Sequence, residues 1–410
     1  MIFRTSQTIK TLINNNLNIK AMGHLNKSRK KIISNVLWLF LSIKGRINFL
    51  QMERFGTDCE QTFRNQFEEK FDFLAFNNHL IEGVVGDETI IAFDPSYIPK
   101  AGKKTPGTGR FWSGAASTSK YGLEICGFAL VDVKSNNAFH LNAFQSPGAS
   151  KLGEKDMTLL DHYCSLITGN AVDLSRYSNY FVADAYFSKL PVVNAVFSIK
   201  KHLISRMRDD SVLMYKYKGA KSGKKGRPRK YEGRIDVHNP DLGYFERYKQ
   251  EGLIIYSAVV HSQAFKCDIK LAITVFLDEN GEEVSRKLYF STDIGQAGEQ
   301  IVRFYRSRFQ IEFLYRDAKQ HTGLTNCQAR SENKLDFHFN ASLTAVNIAK
   351  IDWINNKSKC QKSFSMSSYK TYCYNVLLID RFIQRFAINP NHRKNRKIIN
   401  ELLEYGKIAA

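Results

Sequence analysis

The chain has 410 residues, of which 43% are hydrophobic and 12% aromatic, so it can form packed cores and is not a disordered protein. Its length exceeds the usual size of one domain, roughly 100–200 residues, and predicts two or three domains. Lys and Arg number 60 against 39 Asp and Glu, a net charge of +21. An excess of this size implies a polyanionic partner, either nucleic acid, which we favour, or an anionic membrane surface.

A membrane or secreted protein is disfavoured by the apolar runs and the cysteines. The most apolar early stretch, Val36–Ile43, is eight residues long and is closed by Lys44 and Arg46, whereas a spanning helix needs about 20 residues. The N-terminus lacks the apolar segment and cleavage site of a signal peptide. The seven cysteines are scattered and never spaced C-x-x-C, which disfavours disulfides or a zinc site. We therefore expect a cytoplasmic protein with no membrane partner.

Residues 1–83 are predicted to form a basic, helical DNA-binding domain. The first 52 residues contain nine Lys and Arg and no acid. A cationic cluster that includes Lys30 and Lys31 precedes an apolar-periodic run, which places both lysines on the positive side of a helical unit. The alternative is a merely solvated helix surface, but a run of cations without one acid favours DNA contact by Lys30 and Lys31.

Residues 84–197 are predicted to be the first part of a catalytic core. Apolar and turn patterns predict four strands and one helix, at Glu88–Phe93, Leu123–Val133, Ala138–Phe144, Asp156–Ile167 (the helix) and Tyr180–Ala183. The first strand is expected to stop at Asp94-Pro95, because proline cannot continue a ladder, and the last ends at Asp184. Three meandering strands, a crossover helix and a parallel strand indicate an α/β fold with a mixed sheet.

The remaining residues divide into three further regions. Residues 198–292 are predicted to be a large antiparallel β insertion, with strands at Val212–Tyr217, Tyr244–Lys249, Leu253–Val260, Ile269–Phe276 and Lys287–Phe290. Residues 293–345 are predicted to be the second part of the core, with one long helix, Ala297–Gln320, capped from Ser291-Thr292-Asp293. Residues 346–410 are predicted to be a C-terminal helical region with a basic tail.

The helix from Ala297 carries the most informative spacing. Tyr305, Arg308, Glu312 and Lys319 are separated by three, four and seven residues, so at roughly 100° per residue they share one polar stripe. A single carboxylate is thereby presented between cations and a phenol. The alternative is a solvated helix face on which Glu312 pairs with a neighbouring arginine.

Two strand-end aspartates add to this glutamate. Asp94 and Asp184 each follow an apolar strand, where a charge is costly unless it binds a cation or hydrogen-bond donors. With Glu312 they make a set of hard oxygen ligands suited to two Mg²⁺ ions, for which Mn²⁺ can substitute. Each acid could instead be a cap or turn residue, and Asp87 or Asp132 could replace Asp94 in the set.

The chain resembles bacterial insertion-sequence DDE transposases over roughly residues 85–345. The signature Y-x(2)-R-x(3)-E-x(6)-K is matched without a gap by the residues of the polar stripe, Tyr305, Arg308, Glu312 and Lys319. The segment Asp184-Ala185-Tyr186-Phe187 resembles the second-aspartate block of that group, and Phe93-Asp94 followed by Ser96, Tyr97 and Lys100 is similar to its first. The resemblance implies a ribonuclease H-like core with the β insertion lying between the second aspartate and the glutamate.

The resemblance also implies roles for these residues. Asp94, Asp184 and Glu312 would hold two metal ions, while Tyr305, Arg308 and Lys319 would grip phosphates near the transposon end. Activated water would cut at the end of the element, and the freed 3′-hydroxyl would attack target DNA in a cut-and-paste reaction. The protein would act as a homodimer on paired ends, in the cytoplasm of a bacterium and associated with its nucleoid.

Some relatives hold a flipped base on tryptophans of the insertion and the glutamate helix. In this chain the tryptophans are Trp38, Trp112 and Trp353, none of them between the second aspartate and the signature lysine. Three other aromatic residues could take over the stacking, namely Tyr289, Phe290 and Phe304.

A basic tract interrupts the insertion. Residues 200–234 contain 13 Lys and Arg and 3 Asp and Glu, a net +10. Within the tract, Lys225-Gly226-Arg227-Pro228-Arg229-Lys230 resembles the AT-hook core, whose arginines enter a narrow A·T minor groove. Lys225, Arg227, Arg229 and Lys230 are therefore predicted to contact DNA, the alternative being a solvated loop.

Two other functions are compatible with these patterns. A related ribonuclease H-like DNA endonuclease would cut without joining, and a DNA-binding protein derived from a transposase would keep the fold without reacting. The complete carboxylate set disfavours the second of these. A simple endonuclease would not need the full phosphate-gripping signature and a basic N-terminal domain.

Overall fold

The computed structural model describes residues 2–102, 104–219, 229–356 and 363–408. The N-terminal region is helical, with elements α1 (Ile2–Leu17), α2 (Lys27–Ser42), α3 (Phe49–Phe55), α4 (Glu60–Glu68) and α5 (Phe73–Ile81). Asn26 caps α2 by accepting a hydrogen bond from the backbone N–H of Arg29 at 2.8 Å. From Ile32 onward nearly every residue of α2 is buried, so this helix forms the centre of the N-terminal helices.

A single mixed sheet is the frame of the molecule. Its first strands are β1 (Thr89–Pro99), β2 (Gly109–Ser113), β3 (Thr118–Asp132) and β4 (Asn137–Gln145). Short helices α6 (Ala149–Gly153), α7 (Leu159–Gly169) and α8 (Ala171–Ser175) lead to β5 (Tyr180–Val182), which pairs in parallel with β1. The predicted α/β class with a mixed sheet is confirmed.

The sheet continues without interruption through the region predicted as an insertion. After α9 (Leu190–Ser198), the strands are β6 (His202–Met207), β7 (Leu213–Lys216), β8 (Tyr231–Arg234), β9 (Glu246–Gln250), β10 (Leu253–Ser262), β11 (Cys267–Leu277) and β12 (Glu283–Ser291). In the described residues the sheet has twelve strands in the order β2-β3-β1-β5-β6-β12-β11-β10-β7-β8, with β4 beside β3 and β9 beside β10. Strands β2, β6 and β8 are not among the strands predicted from the sequence, and β6 pairs in parallel with β5.

The expected stop of the first strand at Asp94-Pro95 is wrong. Strand β1 runs on to Pro99 and stays paired with β3, with Pro95 opposite Cys126. On its other side β1 pairs with β5 only at Ile91 and Ala92. Beyond Ala92 that side is open, so the missing N–H of Pro95 breaks no ladder.

Helix α12 (Glu332–Asn356) closes the edge of the sheet at β4. The Asn347 side chain accepts from the backbone N–H of His140 and donates to its carbonyl, both at 2.8 Å. Asn340 does the same for Ala143, at 2.9 Å and 3.0 Å. The two amides thus satisfy backbone groups that an edge strand would otherwise leave unpaired.

The C-terminal part of the chain is helical, as expected. Helices α10 (Gly298–Ser307) and α11 (Gln310–His321) precede α12, and α13 (Met366–Arg385) and α14 (Arg393–Glu404) follow it. Helix α13 packs on α2, so the two ends of the chain form one helical layer. Within the described residues, no helix has the length and apolar character needed to cross a membrane.

Candidate active site

Asp94 lies in β1, and Asp184 lies two residues past the end of the adjacent parallel strand β5. The register of β1 and β5 pairs Ala92 with Val182, and each aspartate is two residues further on. Neighbouring strands are about 4.8 Å apart. The fold therefore brings together two carboxylates that are separated by 90 residues in the chain.

The backbone around Asp184 turns sharply and fixes the side chain. A short 3₁₀ turn, Ala185–Phe187, begins directly after the aspartate. The Asp184 carboxylate accepts a hydrogen bond from the backbone N–H of Tyr186 at 3.0 Å, and its carbonyl accepts one from the Ser205 hydroxyl at 2.7 Å. Asp184 is therefore a cap residue, one of the two interpretations that its sequence position allows, and its role as a site residue stays a prediction.

Helix α11 is fastened to β1 by Tyr315. The buried Tyr315 hydroxyl donates to the backbone carbonyl of Asp94 at 2.8 Å. It reaches this atom over Gly127, which is opposite Asp94 in β3. A Cβ at position 127 would lie under 3.0 Å from the hydroxyl oxygen, so only glycine leaves room. This hydrogen bond fixes the distance between α11 and β1, and with it the position of Glu312 relative to Asp94.

Arg308 links the two elements that carry the acids. Its guanidinium contacts Asp94 at 3.4 Å and Glu312 at 2.7 Å. The Arg308 side chain is 12% exposed, so this pairing takes place largely out of water. The positively charged group lies between Asp94 and Glu312, and the space between these carboxylates accepts a cation.

The predicted long helix Ala297–Gln320 is in fact two helices. Helix α10 ends at Ser307 and α11 begins at Gln310. At the junction the backbone N–H groups of Ile311 and Glu312 bond to the carbonyls three residues back, at 3.1 Å each. The junction is a tightened helical turn and does not reverse the chain, so the residues of the polar stripe remain on one side of the two helices.

The predicted N-cap of this helical segment is also wrong. The N-cap is Ala297, and the Asp293 carboxylate accepts hydrogen bonds from the Tyr180 hydroxyl and the Gly295 backbone N–H instead.

Lys319 and Tyr305 extend the site on either side. The Lys319 ammonium donates to the Ser96 hydroxyl at 2.9 Å, two residues beyond Asp94 on β1. The Tyr305 ring lies 4.8 Å from the ring of Tyr289 and is half-buried. A row of phenol, guanidinium, carboxylate and ammonium therefore runs from β12 to the far end of β1.

Burial and like charge change the proton affinities of the acids. Burial raises the pKa of Asp94 to about 8, and the nearby Asp184 and Glu312 carboxylates add to the rise, while Arg308 opposes it. Burial likewise raises the pKa of Asp184. Burial lowers the pKa of Lys319. Burial therefore favours the neutral form of both aspartates, and Arg308 only partly offsets this effect.

The donor set suits a hard divalent cation. Within the described residues, no three His, Cys, Asp or Glu side chains form a ready-made metal-binding group. The oxygens at hand are nevertheless carboxylates, the ligands that Mg²⁺ and Mn²⁺ prefer. The guanidinium between Asp94 and Glu312 shows that these residues can share a positive charge.

A known protein family matches the part of the chain that carries these residues. A family model described as "Transposase DDE domain" matches residues 86–348, well over half of the chain and all of the residues just described. This chain belongs to the DDE transposase family.

A cryo-EM structure of a piggyBac transposase synaptic complex with hairpin DNA is similar at a TM-score of 0.40 and 12% identity, over 100% of this chain and 85% of that one. No curated protein matches the sequence.

The alternatives to Asp94 in the transposase site lie elsewhere. The Asp132 carboxylate accepts hydrogen bonds from three backbone N–H groups, those of Gly86, Lys134 and Ser135, at 3.0–3.1 Å. It lies opposite Thr89, at the other end of β1. Asp87 is exposed ahead of β1. Neither approaches Asp184 as Asp94 does.

The predicted DNA contacts outside the carboxylate site fall on separate surfaces. Lys30 is half-buried and donates to Asn18 at 3.2 Å, and Lys31 is exposed. Arg229 packs over the Tyr217 ring at 5.3 Å, and Lys230 is exposed at the start of β8. Strand β8 is seven strands from β1 in the sheet order, roughly 34 Å at 4.8 Å per strand. Lys225 and Arg227 lie outside the described residues.

Tyr289, Phe290 and Phe304 cannot stack on a base as expected. All three are buried, with at most 4% of each exposed. Sequence reasoning also missed Tyr315, Gly127 and Ser205, which position the acids. Tyr315 follows Glu312 by three residues, but no spacing rule singles out a tyrosine that bonds to backbone.

Proposed function

We propose that this DDE transposase excises and inserts DNA by a cut-and-paste reaction, with Asp94, Asp184 and Glu312 as its catalytic acids. The observation that supports this most directly is that Asp94 in β1 and Asp184, just past the end of the parallel strand β5, each follow the paired residues Ala92 and Val182 by two positions. Arg308 joins the first of them to Glu312. The group would be that of bacterial insertion sequences, with a ribonuclease H-like core.

The three acids would hold two Mg²⁺ ions, or Mn²⁺ in their place. Ions held there would supply the activation of the attacking oxygen and the neutralisation of the leaving oxygen of a phosphodiester. The protein supplies the rest. The Tyr186 N–H keeps the Asp184 side chain turned, and Tyr315 fixes the backbone of Asp94.

Lys319, Arg308 and Tyr305 would position the DNA strand. Lys319 is held by Ser96 close to Asp94, so it can meet a phosphate next to the scissile one. Arg308 would contact a phosphate while it holds Glu312, because a guanidinium has five N–H donors and the ion pair with Glu312 does not use all of them. These groups orient the substrate and do not react.

The test is a cleavage and joining assay with the full chain, Mg²⁺ and DNA that carries the ends of the element. Asp184→Ala and Glu312→Ala should each lose both activities, while Glu251→Ala, an exposed acid in a turn, keeps them. Unchanged cleavage by the first two variants would overturn the proposal. Cleavage without joining by the unaltered protein would point to the endonuclease instead.

We also propose that two copies act together, through helix α14. Ile398 and Leu402 of α14 are exposed and four residues apart, and Tyr405, the residue after the helix, is exposed as well, while Ile399 and Leu403 are buried against the protein. Neighbouring exposed apolar side chains of this kind mark a site of contact with another protein surface. This apolar surface is small, so the charges beside it decide which partner fits.

Those charges match a second copy of α14 in the opposite direction. Lys394 and Lys397 lie in the first half of the helix, and Glu401 and Glu404 in the second. An antiparallel pair about a two-fold axis sets each lysine against a glutamate. Leu402→Asp should therefore abolish dimers on end DNA in mass photometry.

The control is Val172→Asp, at a position that is 79% exposed on α8, which should still form dimers. Dimers that persist in Leu402→Asp would rule out this surface.

A further inference from the structure

The hairpin of β2 and β3 extends past the end of β1 and carries an unexplained aromatic surface. Strand β3 pairs with β1 from Gly122 to Asp132, and its first residues, from Thr118, pair with β2. Arg110 is opposite Tyr121, and Trp112 is opposite Ser119. Because side chains alternate along a strand, Arg110, Trp112 and Tyr121 share one face.

This face is open to solvent. Trp112 is 64% exposed and Tyr121 46%, whereas Phe111, on the other face, is buried. The three tryptophans all lie in the described residues, and the other two are enclosed: Trp38 is 3% exposed and Trp353 is half-buried. The hairpin therefore exposes the rings of Trp112 and Tyr121 to solvent next to the guanidinium of Arg110. A flat ligand can stack on exposed rings of this kind.

The charge of the segment favours an anionic ligand. Residues 95–123, from the residue after Asp94 to the middle of β3, contain five Lys and Arg and no Asp or Glu. Among the described residues, no ion pair involves Arg110 or Lys120. A segment with unpaired cations and exposed rings, and without repelling carboxylates, matches what binds single-stranded nucleic acid.

The distance to the acids fits a DNA substrate. Asp94 is opposite Gly127, and Tyr121 is six residues further along β3. At about 3.4 Å per residue this is roughly 20 Å, and the position opposite Trp112 is roughly 27 Å away. Stacked nucleotides rise about 3.4 Å each, so the hairpin reaches bases some six to eight positions from a phosphate at the acids.

We propose that the β2–β3 hairpin binds a DNA strand with unpaired bases, which stack on Trp112 and Tyr121 while Arg110 contacts the phosphates. This inference rests on the proposed transposase function, because it takes the ligand to be the DNA being cut. The hairpin holds that strand in line with the carboxylates, and its ligand is single-stranded rather than duplex DNA.

The test is fluorescence anisotropy of a single-stranded oligonucleotide and a duplex of the same sequence, with the full chain in EDTA. Trp112→Ala should weaken single-strand binding about 5- to 150-fold, the range for loss of one stacked base, and duplex binding less than twofold. Trp112→Phe should restore most of the affinity, because it keeps a ring. Phe386→Ala, which removes another exposed ring, should change neither.

Equal weakening toward both DNAs, or none toward the single strand, would overturn the inference. A melting curve for each variant separates lost binding from lost folding, and quenching of tryptophan fluorescence by the single strand should disappear in Trp112→Phe. If the unaltered chain binds the single strand in EDTA but does not cleave end DNA in Mg²⁺, the transposase proposal fails while the hairpin still binds DNA.

Discussion

Tyr315 lies over the Cα of Gly127 and donates a hydrogen bond to the backbone carbonyl of Asp94, at 2.8 Å. Two residues that carry no chemistry thereby set how close α11 comes to β1. The contact is specific because the ring fills the space that a side chain at position 127 would occupy.

Gly127→Ala should therefore destabilise the fold and disturb the site together. The added methyl forces the Tyr315 hydroxyl away, and overpacking of this kind costs about 1–3 kcal/mol in unfolding free energy. Tyr315→Phe removes the hydroxyl and leaves the nearest ring carbon at 3.3 Å, so it should relieve the clash. Denaturant unfolding of both single variants and the double variant is the measurement. A double variant no more stable than Gly127→Ala would contradict this account.

Arg308→Gln should make the protein respond more strongly to divalent cations. Without the guanidinium, Asp94 and Glu312 lose the cation that they share, so the metal-free protein should melt at a lower temperature than the unaltered one. Mg²⁺ or Mn²⁺ should then raise the melting temperature by more than it does for the unaltered chain. Arg303→Gln, which breaks the exposed pair with Glu88, is the matched control. An equal response of both variants to Mg²⁺ would argue against a cation site between these acids.

The site could be predicted from the sequence because its residues follow local rules. Asp184 ends an apolar strand, and Glu312 belongs to a polar stripe with helical spacing; both patterns survive in the structure. The stripe persisted even though the helix breaks at Arg308, since a tightened turn changes the angle between residues only slightly. Asp94 was singled out for a partly wrong reason, because its strand does not stop there, and its role in the site stays a prediction.

What could not be predicted depends on pairing between distant segments. Pro95 is tolerated in β1 because β1 pairs with another strand on only one side at that position. No pattern within the β1 sequence shows on which sides the strand is paired. Strand β6 escaped notice because it combines His202 and Arg206 with apolar residues, although it is a central strand. Tyr289 was expected to be available for stacking, but it is buried against Tyr305 of helix α10. The strand sequence around Tyr289 does not show that a later helix covers it.

Acid should destabilise the fold through two buried histidines. Burial lowers the pKa of His140 to about 3 and that of His338 to about 4. The unfolded chain, with an ordinary histidine pKa near 6.5, takes up protons first as the pH falls. Stability is therefore complete above about pH 6.5 and declines toward pH 4, by up to about 1.4 kcal/mol per histidine for each pH unit.

The measurement is the unfolding free energy from pH 8 to pH 4. His338 donates to the Gly323 carbonyl at 2.7 Å, and His338→Gln preserves a donor there without an imidazole to protonate. That variant should show a shallower decline below pH 6.5. His392→Gln, at an exposed position, should follow the unaltered curve. Identical slopes for all three proteins would exclude His338 as a source of the acid sensitivity.

Lys30 and Lys31 should contribute to DNA binding through phosphates alone. They line a groove between α1 and α2 together with Lys10 and Lys27, and phosphate contacts of this kind release counterions when they form. Replacing Lys31 by Ala should lower the slope of log affinity against log salt by about 0.9 and weaken all duplex sequences alike. Lys134→Ala, in the exposed turn after β3 at the edge of the sheet away from the acids, should leave the slope unchanged. Anisotropy titrations between 50 and 200 mM salt would measure it. A slope that is unaltered in Lys31→Ala would place DNA on another surface, since an exposed lysine that touches no phosphate releases no counterion.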